Sequence, residues 1–284
     1  MRVNEAKPTS TAKTNKPLFV LFLSCFLSFS LARLNAPHNA KEGTAMLPPE
    51  HHIQIGSILF DGLDQIDLTG PYEVLATIPN ATFTVAAKSL EPMRDFRGMR
   101  LMADTTFGDA PQFDVLHIPG GPGQQALMED EEVLSFIRTQ AASADYVLSV
   151  CTGALVCGAA GLLVGRKATT HWSAHHLLPY FGAEAVNERV VIDGNWIFAA
   201  GVTSGIDGAL HLAAMLRGQK VAEQIQLYMQ YQPEPPFDAG TPERAPAEVL
   251  EAARAKAGQL TADRLATAKK IAAKLNIDPG AAAG

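Results

Sequence analysis

Three cysteines, two tryptophans and a charged fraction of 18% are low for 284 residues, and the shortages are informative. Cys25 falls within the first 45 residues, so only Cys151 and Cys157 remain for the body of the chain, which excludes a disulfide-stapled scaffold. Six residues apart on one strand-turn-helix unit, these two are poorly placed to bridge, and a reducing compartment is favoured. No Gly-Lys-Ser/Thr follows the glycine-rich turn at 119–123, which excludes a Walker-type phosphate loop. His171, His175 and His176 have a metal-like spacing but lack cysteine or carboxylate companions nearby, so no metal is expected. Positive charge is scarce as well. The first 46 residues hold six basic and two acidic residues, leaving 17 basic against 27 acidic for the rest, and no nucleic-acid partner is expected.

What is present is an ordinary globular composition, 47% hydrophobic, enough for one substantial α/β domain with extensions. Residues 1–45 read as a leader: Arg2, Lys7, Lys13 and Lys16 precede an apolar run at 18–32 that is shorter than a usual transmembrane span. Two readings stand side by side, a signal peptide or weak anchor, and translation from Met46. The first makes the protein exported or anchored, the second cytoplasmic, and neither gives the catalytic domain itself a membrane contact. The catalytic domain is expected over 46–232, followed by a Pro-rich linker and helical tail over 233–284.

Along the chain, apolar runs at 53–60, 81–87, 113–118 and 146–150 predict strands, with a short extra one at 99–105. Helical spacing predicts a helix that starts near Pro71, one over 129–144, one over 152–163, and others through Leu216 and over 220–231. Residues 168–172 read as a further strand ending at His171, and 190–199 as a hairpin around Asp193-Gly194. The tail at 246–275 is helical by propensity and suits an arm against a partner subunit or the domain's own flank. This alternation predicts a mostly parallel sheet sandwiched by helices, of the flavodoxin-like or class I amidotransferase-like kind, with a C-terminal helical extension. Ligands then gather at the carboxyl ends of the strands.

Cys151 stands where the apolar strand at 146–150 stops and a small-residue helix begins. Such a turn exposes its apex side chain and aims the helix's first free N–H groups at it, so Cys151 is expected to be a thiolate nucleophile. Gly120 and Gly121 follow another strand, where their backbone N–H groups could line an oxyanion or substrate pocket. Asp67 sits in the loop feeding the first helix, Thr152 is the first residue after the cysteine, and His171 is a possible second base. Glu73, a turn or two beyond Asp67, reads as a solvated helix face, and Cys157 as a small packed residue.

Six segments carry a resemblance: Asp-Leu-Thr-Gly-Pro at 67–71, Ile-Pro-Gly-Gly at 118–121, Ser-Val-Cys-Thr-Gly at 149–153, Gly-Leu-Leu at 161–163, Ala-Thr-Thr-His-Trp at 168–172 and Gly-Val-Thr-Ser-Gly-Ile-Asp at 201–207. With these the chain resembles the ThiJ/PfpI superfamily, and its tail from Ala239 is similar to that of members that hydrate isonitriles. The resemblance implies Cys151 as nucleophile, Asp67 as acid/base carboxylate, Thr152 as a required neighbour, a small-molecule substrate, no cofactor and a homodimer. It implies hydration of an isonitrile to an N-substituted formamide. A hydrolase acting on small carbonyl compounds and a redox sensor using Cys151 are the alternatives. Thr152 stands where protease-like relatives have histidine, and Ser149 where amidotransferases have glycine, so the peptidase and glutaminase readings lose their motif.

Overall fold

The apolar runs of the sequence become a sheet covered on both faces. The computed structural model describes residues 46–280; the leader expected over 1–45 and the last residues of the tail lie outside the described residues. The chain runs β1 (Ile53–Ile58), α1 (Gln65–Leu75), β2 (Ala81–Ala87), β3 (Met93–Arg94), β4 (Arg100–Leu101), β5 (Thr105–Thr106), β6 (Val115–Ile118), α2 (Gln124–Leu127), α3 (Glu131–Ser143), β7 (Tyr146–Val150) and α4 (Gly153–Ala159). It continues through β8 (Lys167–Ala168), a 3₁₀ segment (Trp172–Phe181), β9 (Glu184–Ala185), β10 (Val190–Asp193), β11 (Trp196–Ala199), α5 (Ser204–Arg217), α6 (Gln219–Tyr228) and α7 (Ala247–Leu275). Among the described residues no helix is long and apolar enough to cross a membrane.

Seven strands form the main sheet in the order β10-β11-β7-β6-β1-β2-β5, parallel except where β10 returns antiparallel to β11. Side chains alternate across it. Leu148, Val150, Ile197 and Ala199 face α1, α5 and α6, while Val147, Trp196 and Phe198 face α3, α4 and the 3₁₀ segment. All of β6 and β7 is buried, as parallel strands covered on both faces require. After β1 the chain moves outward to β2 and β5, then returns to the opposite side of β1 as β6. The turns leaving β1, β6 and β7 therefore converge at the point where the strand order reverses.

Three elements differ from their sequence-based expectation. The first helix starts at Gln65, capped by Asp64, whose carboxylate accepts from the Ile66 N–H at 3.4 Å, so Pro71 lies inside it and Asp67 belongs to its first turn instead of the preceding loop. The expected strand at 168–172 shrinks to β8, which pairs only with β9 outside the main sheet, and His171 becomes the N-cap of the 3₁₀ segment. Finally, α4 stops at Ala159, because Gly161 turns into the left-handed region at φ 81° and ends the helix. In the tail, α7 is one unbroken helix whose Thr267, Ala268, Ile271 and Ala272 are buried against the domain, with Ala268 and Ile271 joined to its core.

Gly56 in β1 is required by packing: a Cβ there would lie 2.0 Å from the Phe113 ring, which is 1% exposed, while the Phe113 N–H is held by Gln140 Oε1 at 2.9 Å. Gly56→Ala is expected to destabilise the fold by about 1–3 kcal/mol, read as a lower urea midpoint at unchanged m-value.

Candidate active site

Cys151 occupies the turn between β7 and α4 with φ 55°, a left-handed conformation costly for a side-chain-bearing residue. Two bonds hold it there: its N–H donates to Ala199 O at 2.9 Å, and its carbonyl accepts from Thr170 Oγ1 at 2.6 Å. The neighbouring turn after β6 approaches closely only because glycine permits it. A Cβ on Gly120 would meet Thr152 N at 2.5 Å, and one on Gly153 would meet Ile118 O at 2.2 Å. The Thr152 N–H, first of the free amides of α4, is directed at the Cys151 sulfur.

Asp67 is fully buried in the first turn of α1. Its Oδ2 accepts from the Gly120 N–H at 3.0 Å, Oδ1 has no nitrogen or oxygen partner, and the carboxyl's remaining side-chain interaction is with the Cys151 thiol. Burial, reinforced by the neighbouring Asp64 carboxylate, raises its pKa to about 8. The thiol is pushed up as well, first by burial and then by Asp67, against the opposing pull of the Thr152 N–H and Arg264. Burial therefore works against the resting thiolate that the helix start favours. A helix of seven residues contributes only about 0.3–1 kcal/mol through its dipole, less than one pKa unit, whereas full burial moves a group by up to about 3–5 units. Burial thus favours the protonated form of both groups.

The other sequence-selected residues divide between this pair and its surroundings. Thr152 is buried, and its hydroxyl joins the opposite turn: it accepts from the Gly121 N–H at 3.1 Å and lies 3.3 Å from the Gly121 carbonyl. The amides of Gly120 and Gly121 are thus both engaged within the protein, the first by Asp67 and the second by Thr152, instead of being free toward a ligand. His171 makes no hydrogen bond to Cys151; its Nδ1 accepts from the Ser173 N–H at 3.4 Å and pairs with Ser173 Oγ at 2.8 Å. Burial, then the nearby Arg264, lowers its pKa to about 4, so the ring is neutral with its proton on Nε2. Glu73 is exposed on α1, away from the thiol. Cys157 is buried in α4 with its thiol pushed up to about 12. Among the described residues no three His, Cys, Asp or Glu side chains group as a metal site.

Two residues of the site were not selected from the sequence. His117 on β6 is fully buried behind Asp67, its Nδ1 2.8 Å from Ser57 Oγ. Pro71 has no N–H to give the Asp67 carbonyl four residues back, and the His117 ring faces that carbonyl instead. Burial keeps the ring neutral, with a pKa near 3. Arg264 of α7 is 5% exposed and donates from Nη2 to Gly121 O at 3.1 Å. A signal for it existed: 264, 267, 268, 271, 272 and 275 form a helical stripe, and Arg264 is its one charge.

Unfolded, Asp67 ionises near its ordinary 3.8; folded, it keeps its proton to about 8. Folding therefore takes up a proton between those values, and the associated stability, complete below 3.8, is lost as pH rises toward 8. Asp67→Asn does not titrate, so at pH 7.5 it is expected to be more stable than the parent by roughly 2–4 kcal/mol, with the gap closing as pH falls toward 4. Urea unfolding of both proteins at the two pH values reads this directly; an equal gap at both would show that Asp67 is already ionised in the fold.

The DJ-1/PfpI family model matches residues 54–215. The isonitrile hydratase of Pseudomonas putida is 50% identical over 225 residues, 79% of this chain and 99% of that protein. A glutathione-independent glyoxalase of Caenorhabditis elegans is 27% identical over 187 residues, covering 65% of this chain and 94% of its own length. Among solved structures, a ThiJ/PfpI family protein from Pseudomonas syringae superposes with a TM-score of 0.75 at 38% identity, covering 82% of this chain and 96% of that one. With the sheet order, the cysteine turn and the glycine turn already in place, these matches lead to one conclusion: the chain belongs to the DJ-1/PfpI family.

Proposed function

We propose that the protein is a lyase that hydrates an isonitrile to the N-substituted formamide, with Cys151 as nucleophile and Asp67 as acid and base. The observation that carries this reading is the 50% identity to an isonitrile hydratase across 99% of that enzyme's length. The site chemistry supports it. An isonitrile carbon must receive both a nucleophile and a proton, and here a thiol and a carboxyl interact side by side.

The reactive form is the pair with one proton, a Cys151 thiolate beside protonated Asp67. Sulfur bonds to the terminal carbon as the Asp67 proton goes to that carbon, giving a thioimidate and an Asp67 carboxylate. The carboxylate takes a proton from water as its oxygen adds to the thioimidate carbon, and passes that proton to nitrogen. It then accepts the hydroxyl proton as the C–S bond breaks, which releases the formamide and restores thiolate and acid. Atoms and charge balance, and no redox cofactor or metal enters. Thr152 serves by fastening the Gly121 turn to the cysteine turn. A homodimer remains part of the proposal, with the protein's small-molecule substrate as its other partner.

Formamide production from a small alkyl isonitrile is the test. Cys151→Ala and Asp67→Asn are each expected to lower kcat/KM by about 10³-fold or more. Because Asp67 holds its proton to about 8, the one-proton pair forms as pH rises, so kcat/KM is expected to climb between pH 6 and 9. No turnover by folded, reduced protein would reject the isonitrile assignment, and turnover of a small α-oxoaldehyde in its place would transfer the site to carbonyl chemistry.

A further inference from the structure

Arg264 is a buried cation without an anion. It is 5% exposed, no carboxylate among the described residues lies within ion-pair distance, and its Nε has no hydrogen-bond partner. The adjacent Asp263 is no counter-charge, since its carboxylate is engaged by Gln259 Nε2 at 2.8 Å on the outside of the helix. What holds Arg264 is the Gly121 carbonyl, at 3.1 Å from Nη2. That carbonyl belongs to the turn whose Gly120 N–H binds Asp67 and whose Gly121 N–H binds Thr152, the residue following Cys151. One short turn thus ties together the cation, the carboxyl and the thiol.

The ionisable groups around this knot come from every element packed on it. From α1 and the loop before it come Asp67 and Asp64, the latter in an ion pair with the exposed Arg97 at 3.5 Å that offsets its charge only in part. From β6 comes His117 and from the 3₁₀ cap His171, both neutral at physiological pH. Cys151 closes the list on the β7 turn. With Asp67 and Cys151 both protonated the site carries one uncompensated positive charge, and it is neutral when one of them is ionised. A charge buried without a partner is costly, whereas one matched by a nearby ion is not.

We infer that Arg264, supplied by the C-terminal helix, is the fixed counter-ion of a single negative charge that alternates between Cys151 and Asp67. In the reaction proposed above the site always carries one anion: the thiolate before addition, the carboxylate while the thioimidate exists, and the thiolate again after collapse. The guanidinium stays charged throughout and gives up no proton. Arg264 is a positioning residue that acts on the thiol through its field and through the Gly121 turn. The inference rests on the proposed reaction for its cycle, but its central statement concerns the free enzyme.

The test is the pH profile of Cys151 alkylation by iodoacetamide, which reports thiolate formation without needing an isonitrile. The full chain is compared with Arg264→Lys, Arg264→Gln and Arg264→Met, each checked for folding by near-UV circular dichroism; Met is included because an apolar side chain is well tolerated at a buried charged position. Gln and Met are expected to move the midpoint upward by about one unit or more, while Lys, which keeps the charge, holds it near the parent value. With an isonitrile as substrate, Gln and Met are expected to lower kcat by about 100-fold with little change in KM. An unshifted midpoint in either folded neutral variant would overturn the counter-ion role, as would a Lys variant shifted as far as Gln. If the midpoint shifts but the parent turns over no isonitrile, Arg264 keeps its role and the proposed reaction is the part that fails.

Discussion

Everything in this site follows from burying two acids side by side. Asp67 and Cys151 arrive from different elements, the first turn of α1 and the end of β7; burial raises the pKa of both, Asp67 raises that of Cys151 further, and the thiol's hydrogen bond pulls that of Asp67 back down. Strands β1, β6 and β7 lie side by side, so the turns that leave them meet, and glycines at 120 and 153 let two backbones close to a distance that any Cβ would forbid. Tight packing buries the pair. It also leaves Asp67 Oδ1 without a hydrogen-bond partner, in the carboxyl that interacts with the Cys151 thiol.

Much of this was legible in the sequence because the strands are buried on both faces. Largely apolar runs such as Val-Leu-His-Ile and Tyr-Val-Leu-Ser-Val have few other uses, and each leads into a turn of the site. The first helix was less legible. Asp64 and Asp67 are both chemically able to cap, and Pro71 points to a first turn, yet the helix admits Pro71 in its interior, with the His117 ring near the Asp67 carbonyl that Pro71 cannot bond. That exchange depends on a strand fifty residues away and leaves no local mark.

The protonation of Cys151 could not be read locally for a different reason. A cysteine before a helix suggests a thiolate if the helix dipole is the main influence, and at an exposed site it would be. Here α4 has seven residues and the thiol is 5% exposed, so burial outweighs the dipole by a wide margin. Periodicity announces that a helix is present but not how deeply its first residue lies. The depth comes from the cluster that α1, α5 and the strands build around Cys151, which only the assembled fold brings together.

That dependence on α7 bears on the order of chemical events. The family match ends at residue 215, and the cation whose field acts on the thiol arises nearly fifty residues later, from a helix outside the matched region. A fixed positive charge beside the reacting carbon disfavours a route in which the isonitrile is protonated first, since that route builds a nitrilium cation next to Arg264. It favours sulfur addition in step with proton transfer, where negative charge leaves the thiolate only as it arrives on the carboxylate. The same field that selects this order would hinder chemistry passing through a cationic intermediate. In the proposed reaction the C-terminal helix would therefore narrow the chemistry that the cysteine turn can support.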